Sequence, residues 1–231
     1  MALALCELGA RAIYCFDLPP EPSKEWKSTE YFVKKIGGRL EYMSADVRDQ
    51  KGMWDKVKFI GDKEGRMDVC IAAAGIVPKV TKKAVEFLEG PYQECTKVIN
   101  TNVNGSLWTA QAAGQQMLRF GNPGSIIFIS SIAGHISMKE GGMVPYETSK
   151  SAVLQMTRSM ACELGSKGIR VNSISPGCIS SPMSAEALEQ PGGLKRASDA
   201  APLGRIGRAD ELRGVVAWLA SDASSFCTGS K

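Results

Sequence analysis

Residues 125–131 have the sequence SIIFISS, and residues 170–175 have the sequence RVNSIS. Both runs are short, the first has a continuous apolar stretch at 126–129, and a helical pattern separates the two runs over about 146–165. Strands that are apolar along their whole length are buried on both faces, as in parallel sheets covered by helices. The stretch therefore predicts a parallel strand–helix–strand unit.

The same alternation extends toward both ends of the chain. A short helix over Ala2–Leu8, capped by Gly9, precedes the first strand. The pattern predicts one domain over residues 1–231, a doubly wound α/β fold with a parallel sheet and ligands at the carboxyl ends of its strands. The further predicted elements are strands at 12–16, 39–44 and 69–75, helices at about 24–36, 50–64, 91–119 and 209–220, and a loop at 182–204 that covers the substrate.

Composition limits the possible functions. The 231 residues carry 28 Lys plus Arg and 24 Asp plus Glu, a net charge of +4 without a basic run, so we expect neither nucleic acid nor a membrane as partner. No apolar run approaches the ~20 residues of a membrane span. Seven cysteines without CxxC spacing indicate a reducing, cytoplasmic location. The single histidine, His135, cannot join a Cys/His zinc cluster, so no metal site is predicted.

Three predicted strands end in residues suited to a dinucleotide. Asp17 ends the first visible strand, where a carboxylate binds ribose hydroxyls and repels a 2′-phosphate, favouring NAD over NADP; the alternative is a turn or capping role. Asp46 and Val47 follow the second strand and suit the adenine amino group and ring, unless Asp46 caps a helix. Small residues through Ala74 and Gly75 let a flat cofactor lie against the backbone, although close helix packing needs them equally.

A tyrosine and a lysine lie four residues apart on one predicted helix. Tyr146 and Lys150 therefore share a face, and a lysine ammonium at ~4–6 Å lowers a phenol pKa by ~1–3 units, giving an acid/base near neutral pH. The spacing alone is weak, because Tyr31 and Lys35 repeat it on a helix face that we interpret as solvated. Context distinguishes Tyr146, which follows the strand that ends in Ser131.

Two more polar residues extend this candidate site. Ser131 is placed to hydrogen-bond a substrate carbonyl oxygen. Ser130 competes for that role, but strand alternation points the two serines to opposite faces. Asn102 lies mid-helix, where asparagine is a poor helix former, and either holds water in a proton path or is simply exposed.

In order and spacing, these motifs resemble the short-chain dehydrogenase/reductase family, a Rossmann-like fold. The resemblance implies hydride transfer between a nicotinamide cofactor and a carbonyl or alcohol, with Tyr146 as acid/base, Lys150 on the nicotinamide ribose, Ser131 on the substrate oxygen and Asn102 in a water relay. It places Pro176, Gly177, Ile179 and Ser181 beside the nicotinamide. The matching motifs are Asp17, ADV (45–47), AAAG (72–75), NVNG (102–105), ISS (129–131), YETSK (146–150), RVNSISPG (170–177), GRIGRADE (204–211) and WLASDASSFCTG (218–229).

The sequence departs from the family pattern at three places. Ala73 replaces an asparagine. The glycine-rich phosphate loop, expected about 20 residues before Asp17, and the first strand are absent, as is the last strand after Gly229. We therefore expect a partial chain in which the two strands beside the missing central strand lack a partner, and weak dinucleotide binding. The alternative function is a non-catalytic binding or scaffold module without cofactor.

Substrate and assembly follow from the resemblance alone. The SSIAGHI and DLPPEPS stretches, at 130–136 and 17–23, are similar to those of polyol and ketose reductases of the family. Family members commonly form homo-oligomers through two long helices, which correspond to 91–119 and 146–165. The resemblance implies a small-molecule carbonyl or alcohol substrate of the sugar or polyol class, and a dimer or tetramer.

Overall fold

The computed structural model describes residues 1–78, 92–138 and 142–231. Helices and parallel strands alternate along these residues, as the sequence predicts. The strands are β1 (Ala12–Asp17), β2 (Arg39–Ser44), β3 (Val69–Ala72), β4 (Gly124–Ile129), β5 (Ile169–Ile174), β6 (Ile179–Ser180) and β7 (Gly207–Arg208). The helices are α1 (Ala2–Glu7), α2 (Lys24–Lys35), α3 (Gln50–Glu64), α4 (Tyr92–Ile99), α5 (Gly105–Phe120), α6 (Val144–Leu164), α7 (Pro182–Glu189), α8 (Gly193–Asp199) and α9 (Arg213–Ala220).

Every strand pair among the described residues is parallel. β1 pairs with β2, and β4 lies between β3 and β5 in a second sheet. β6 and β7 form a short ribbon after β5. The prediction of a doubly wound α/β fold with a parallel sheet is confirmed.

The two covered faces of β4 explain its apolar run at 126–129. Ile126 and Phe128 pack with Ala113 of α5 and Val153 of α6, whereas Ile127 packs with Val216 of α9 on the opposite face. Because side chains of a strand alternate between two covered faces, no position in this run is open to a polar residue at low energetic cost.

A gap separates the two sheets. Among the described residues β1 has no partner other than β2, and β3 has none other than β4, so the strand edges that line the gap are unpaired, as predicted. The gap is a cavity of about 920 Å³ lined by both strands and by α1, α3 and α5. At the far edge, Gly229 N donates to Val171 O at 2.7 Å and Ser173 N donates to Ser230 O at 2.9 Å, so residues 228–230 run beside β5 without forming a strand.

Four sequence predictions needed revision. The strand predicted over 69–75 ends at Ala72, and a 3₁₀ turn over Ala209–Leu212 forms the start of the helix predicted over 209–220. The helix predicted over 91–119, whose first residue lies outside the described residues, is broken by a π-helical turn at Asn100–Asn104. The loop predicted over 182–204 contains α7 and α8. Pro182 begins α7, and Ser181 and Ser184 form a reciprocal capping box there, which are local signals for a helix start.

None of the described helices combines the length and apolar character needed to cross a membrane. The second tyrosine–lysine pair lies on an open face, as predicted. Tyr31 is 58% exposed, and Lys35 Nζ lies 4.5 Å from the centroid of its ring.

Candidate active site

Ser131, Tyr146 and Lys150 come together beyond the carboxyl end of β4. Ser131 lies two residues past the strand, and α6 carries Tyr146 and Lys150 one turn apart. Lys150 is only 5% exposed, and its Nζ donates to the carbonyl oxygen of Ile129 at 2.8 Å. The Ser131 hydroxyl lies near enough to the Tyr146 phenol to lower its pKa. The local strand and helix patterns therefore bring together the three residues that the sequence singled out.

The electrostatics of this group differ from the prediction. Burial raises the pKa of the Tyr146 phenol above its usual value, and the nearby Ser131 hydroxyl acts in the opposite direction. The prediction that Lys150 lowers the pKa of this phenol in the free protein is wrong. Its Nζ lies 5.6 Å from the centroid of the Tyr146 ring and bonds a backbone carbonyl, and burial lowers its own pKa to about 8.

Strand alternation assigns different roles to the two serines. Ser130 is 3% exposed, and its Oγ donates to the carbonyl oxygen of Lys150 at 2.9 Å, which attaches the end of β4 to α6. Ser131 points the other way, and its Oγ accepts from Ala133 N at 3.1 Å. Gly134 permits the close approach of this turn to α6, because a Cβ there would lie 2.8 Å from the Lys150 carbonyl oxygen.

Asn102 is buried inside the π-helical turn, so the alternative of an exposed helix asparagine is wrong. Its Oδ1 accepts from Ile76 N at 2.9 Å, and its Nδ2 donates to Ile76 O at 2.9 Å and to Ser149 Oγ at 3.0 Å. Ser149 Oγ in turn donates to Tyr146 O at 2.7 Å. Asn102 thus connects the segment after β3 to the first turn of α6, which carries Tyr146.

Sequence reasoning missed two positioning residues, Gly134 and Ser149, and considered Ser130 only as a competitor of Ser131. The available signal was their small size within the SSIAG and YETSK motifs. Small residues are common for many reasons, so only the long-range contacts identify these as functional supports. His135, to which we assigned no role, has its Nε2 3.0 Å from Ser175 Oγ.

The acidic candidates lie at the carboxyl ends of β1 and β2. Asp17 is exposed, and its Oδ1 accepts from Leu18 N at 2.7 Å. Asp46 forms an ion pair with Arg48 at 2.6 Å, which holds the pKa of this carboxyl below its usual value. Asp46 does not cap α3, because Asp49 occupies the capping position and accepts from Gly52 N.

The remaining candidates follow β2, β3 and β5 in the chain. Val47 approaches α5 so closely that a Cβ on Gly105 would lie 2.6 Å from its Cγ2. Pro176, after β5, accepts from Ile132 N at 2.9 Å through its carbonyl oxygen. The others lie after β3, after β5, in β6 and at the cap of α7, namely Ala74 and Gly75, Gly177, Ile179 and Ser181.

The donor set fits a nicotinamide dinucleotide. A lysine ammonium has three donors, and the recorded hydrogen bonds of buried Lys150 use one, on Ile129. A Cβ built on Gly75 would lie 3.5 Å from Lys150 Nζ, so the small residue leaves the ammonium approachable from the end of β3. Lys150 and Tyr146 suit ribose hydroxyls, and the exposed carboxylate of Asp17 suits those of the adenosine ribose.

Comparison with known proteins agrees with this geometry. A family model described as Enoyl-(Acyl carrier protein) reductase matches residues 1–231. The sorbose reductase of Schizosaccharomyces pombe is 37% identical over 209 residues, covering 83% of this chain and 78% of the relative. An Azotobacter vinelandii protein described as L-rhamnose 1-dehydrogenase (NAD(P)(+)) is 33% identical over 200 residues, covering 86% of this chain and 75% of the relative.

A solved structure of a known family member is also similar to this chain. The crystal structure of a short-chain type dehydrogenase/reductase from Mycobacterium marinum is 34% identical and superposes with a TM-score of 0.87. The match covers 99% of this chain and 85% of that protein. This chain belongs to the short-chain dehydrogenase/reductase family and is an oxidoreductase of the alcohol/carbonyl class.

Proposed function

We propose that the chain transfers hydride between NAD(P)(H) and a carbonyl or secondary alcohol on a sugar or polyol, with Tyr146 as acid/base. The observation that carries this proposal is the convergence of Tyr146, Ser131 and Lys150 at the carboxyl end of β4. Two relatives named for sugars, sorbose and rhamnose, support the substrate class.

We assign a step of this reaction to each residue. Ser131 hydrogen-bonds the substrate oxygen and holds it next to the Tyr146 hydroxyl, which donates a proton in reduction and accepts one in oxidation. Lys150 binds the ribose of the nicotinamide. The bound nicotinamide supplies or accepts the hydride. Asn102 and Ser149 hold the first turn of α6, so that the phenol stays in position.

The proposed cofactor preference is NAD over NADP, because Asp17 ends β1 where a 2′-phosphate would be repelled. The rhamnose dehydrogenase relative is described as NAD(P)(+)-dependent, so it does not favour either cofactor for this chain. The proposed preference for NAD therefore rests on Asp17. We expect Asp17→Ala to raise kcat/KM for NADPH relative to NADH. An unchanged ratio would contradict the assignment.

We also propose that the protein acts in the cytoplasm as a homo-oligomer paired through α5 and α6. Scattered thiols support the location, and apolar side chains on more than one face of both helices support the pairing. Light scattering of the purified chain tests the assembly.

The decisive experiment replaces Tyr146 by phenylalanine. Losing general acid catalysis lowers the turnover of ketose reduction by about 10²- to 10⁴-fold, while the circular dichroism spectrum stays unchanged. Tyr31→Phe is the matched control, since Tyr31 has the same spacing to a lysine on an exposed face. Equal turnover of the Tyr146→Phe variant and the wild type would refute the role. A complete lack of NADH binding by the wild-type chain would favour the scaffold alternative.

A further inference from the structure

His135 lies on a short segment, residues 131–138, that begins and ends beside Tyr146. At its start, the Ser131 hydroxyl lies near the Tyr146 phenol. At its end, Met138 N donates to Glu147 Oε1 at 2.8 Å, and Glu147 is the residue after Tyr146. Because both ends are held beside Tyr146, the segment forms an arch with His135 near its middle. The proposed reaction does not use the His135 side chain.

The segment after β5 contacts this arch. Ser175 follows β5, and its Oγ lies 3.0 Å from His135 Nε2. Next to this pair, Ile132 N donates to Pro176 O at 2.9 Å, so the two segments lie side by side as neighbouring strands do. Ser131 and Ser175 precede the two bonded residues. With a strand spacing of about 4.8 Å and a rise of about 3.3 Å, their α-carbons are about 6 Å apart.

The His135–Ser175 pair is open to solvent and has apolar neighbours. His135 is exposed and Ser175 is half-buried. Exposed apolar side chains lie on the arch and at the starts of α6 and α7, namely Ile132, Ile136, Met138, Val144 and Met183. Small-molecule sites typically combine apolar walls with a few polar groups that fix the orientation of the ligand. The pair has the surroundings of such a polar group.

The hydrogen-bonding groups of the pair match a hydroxyl. A neutral imidazole has one donor and one acceptor nitrogen, and a serine hydroxyl both donates and accepts. In either tautomer, the bond between His135 and Ser175 leaves at least one donor and one acceptor for a ligand. A hydroxyl uses both. A carboxylate only accepts, and the Glu147 carboxylate at the end of the arch would repel it.

We propose that His135 and Ser175 bind a second hydroxyl of the substrate, on the carbon next to the reacting carbon. The site then prefers α-hydroxy ketones and vicinal diols to simple ketones and alcohols. The spacing supports an adjacent carbon, because two oxygens on neighbouring carbons, each with a hydrogen bond of about 2.8 Å, span protein groups about 6 Å apart. The proposal rests on the proposed function, since it extends the substrate site at Ser131 and Tyr146.

The first test uses the imidazole of His135 as the reporter, because the chain contains one histidine. The probes are hydroxyacetone and acetone, which share a carbon skeleton and differ by one hydroxyl beside the carbonyl. The full chain, labelled with ¹³C-histidine, is titrated with each ketone by NMR in the presence of NAD⁺, which cannot reduce a ketone. We expect a saturable shift of the His135 signals with hydroxyacetone but not with acetone. Equal shifts with both ketones, or no shift with hydroxyacetone, overturn the proposal.

The second test measures selectivity in variants. Through the lost hydrogen bond, His135→Leu lowers the ratio of kcat/KM for hydroxyacetone to that for acetone about tenfold. His135→Gln keeps most of the ratio, because a glutamine amide also donates and accepts. Ser137→Ala is the matched control, since Ser137 is an exposed serine of the same arch, and it leaves the ratio unchanged. An unchanged ratio in the His135→Leu variant overturns the proposal.

The two measurements distinguish this proposal from the proposed function. A selective His135 shift without turnover of either ketone supports the hydroxyl site and contradicts the proposed function. Turnover of both ketones with equal His135 shifts overturns the hydroxyl site, while the proposed function stands.

Discussion

Lys150 is a buried cation, and we predict that Lys150→Met stabilises the protein at neutral pH while it abolishes turnover. The side chain is 5% exposed, and burial lowers its pKa from 10.5 to about 8. At about 1.4 kcal/mol per pKa unit, this shift corresponds to about 3 kcal/mol of destabilisation when the lysine is charged. Methionine keeps a similar volume but loses the hydrogen bond to Ile129, which contributes about 1 kcal/mol. The net gain at pH 7 is therefore about 2 kcal/mol.

The pH dependence follows from the direction of the shift. Because the pKa is lower in the folded state, the unfolded chain binds more protons between pH 8 and 10.5, and wild-type stability rises with pH through this window. The advantage of the methionine variant is therefore complete below about pH 8 and disappears by about pH 10.5.

The assay is urea unfolding of both proteins at pH 7, 8, 9 and 10, followed by circular dichroism, together with carbonyl reduction at pH 7. Lys167→Met is the control for removing a positive charge, because Lys167 is exposed. We expect it to change neither the free energy of unfolding nor the turnover appreciably. A Lys150→Met variant that is less stable at pH 7, or a stability difference that does not depend on pH, would refute the reasoning.

Three further outcomes are expected. Because burial raises the pKa of Tyr146, carbonyl reduction stays constant from pH 6 to 8 while alcohol oxidation rises with pH; a falling oxidation rate would contradict this. Asn102→Ala removes three hydrogen bonds from a buried site and lowers the free energy of unfolding by about 2 kcal/mol or more, measured by urea denaturation. Ser131→Ala lowers kcat without loss of stability, whereas Ser130→Ala lowers stability by about 1 kcal/mol with smaller effects on kcat; equal effects of the two would refute the assignment.

The sequence alone predicted the features that depend on the local periodicity of residues in strands and helices. Alternating apolar strands and amphipathic helices indicated a parallel α/β fold, and the four-residue spacing placed Tyr146 and Lys150 on one face of α6. The two-residue repeat of a strand, continued past the end of β4, predicted that Ser130 and Ser131 point to opposite faces. These predictions succeeded because a strand or helix repeats its own geometry along the chain.

Only the tertiary structure determined what depends on residues distant in sequence. The residue type and helical position of Asn102 suggest an exposed side chain. Its burial is evident only from its hydrogen bonds to Ile76 and Ser149. The pKa of Tyr146 rises because neighbouring segments exclude water, and Lys150 bonds a strand carbonyl instead of the phenol. The cavity of about 920 Å³ is lined by residues of β1, β3, α1, α3 and α5, which are distant from one another in sequence. Solvation, hydrogen-bond partners and cavity volume are properties of packed neighbours, which no local pattern encodes.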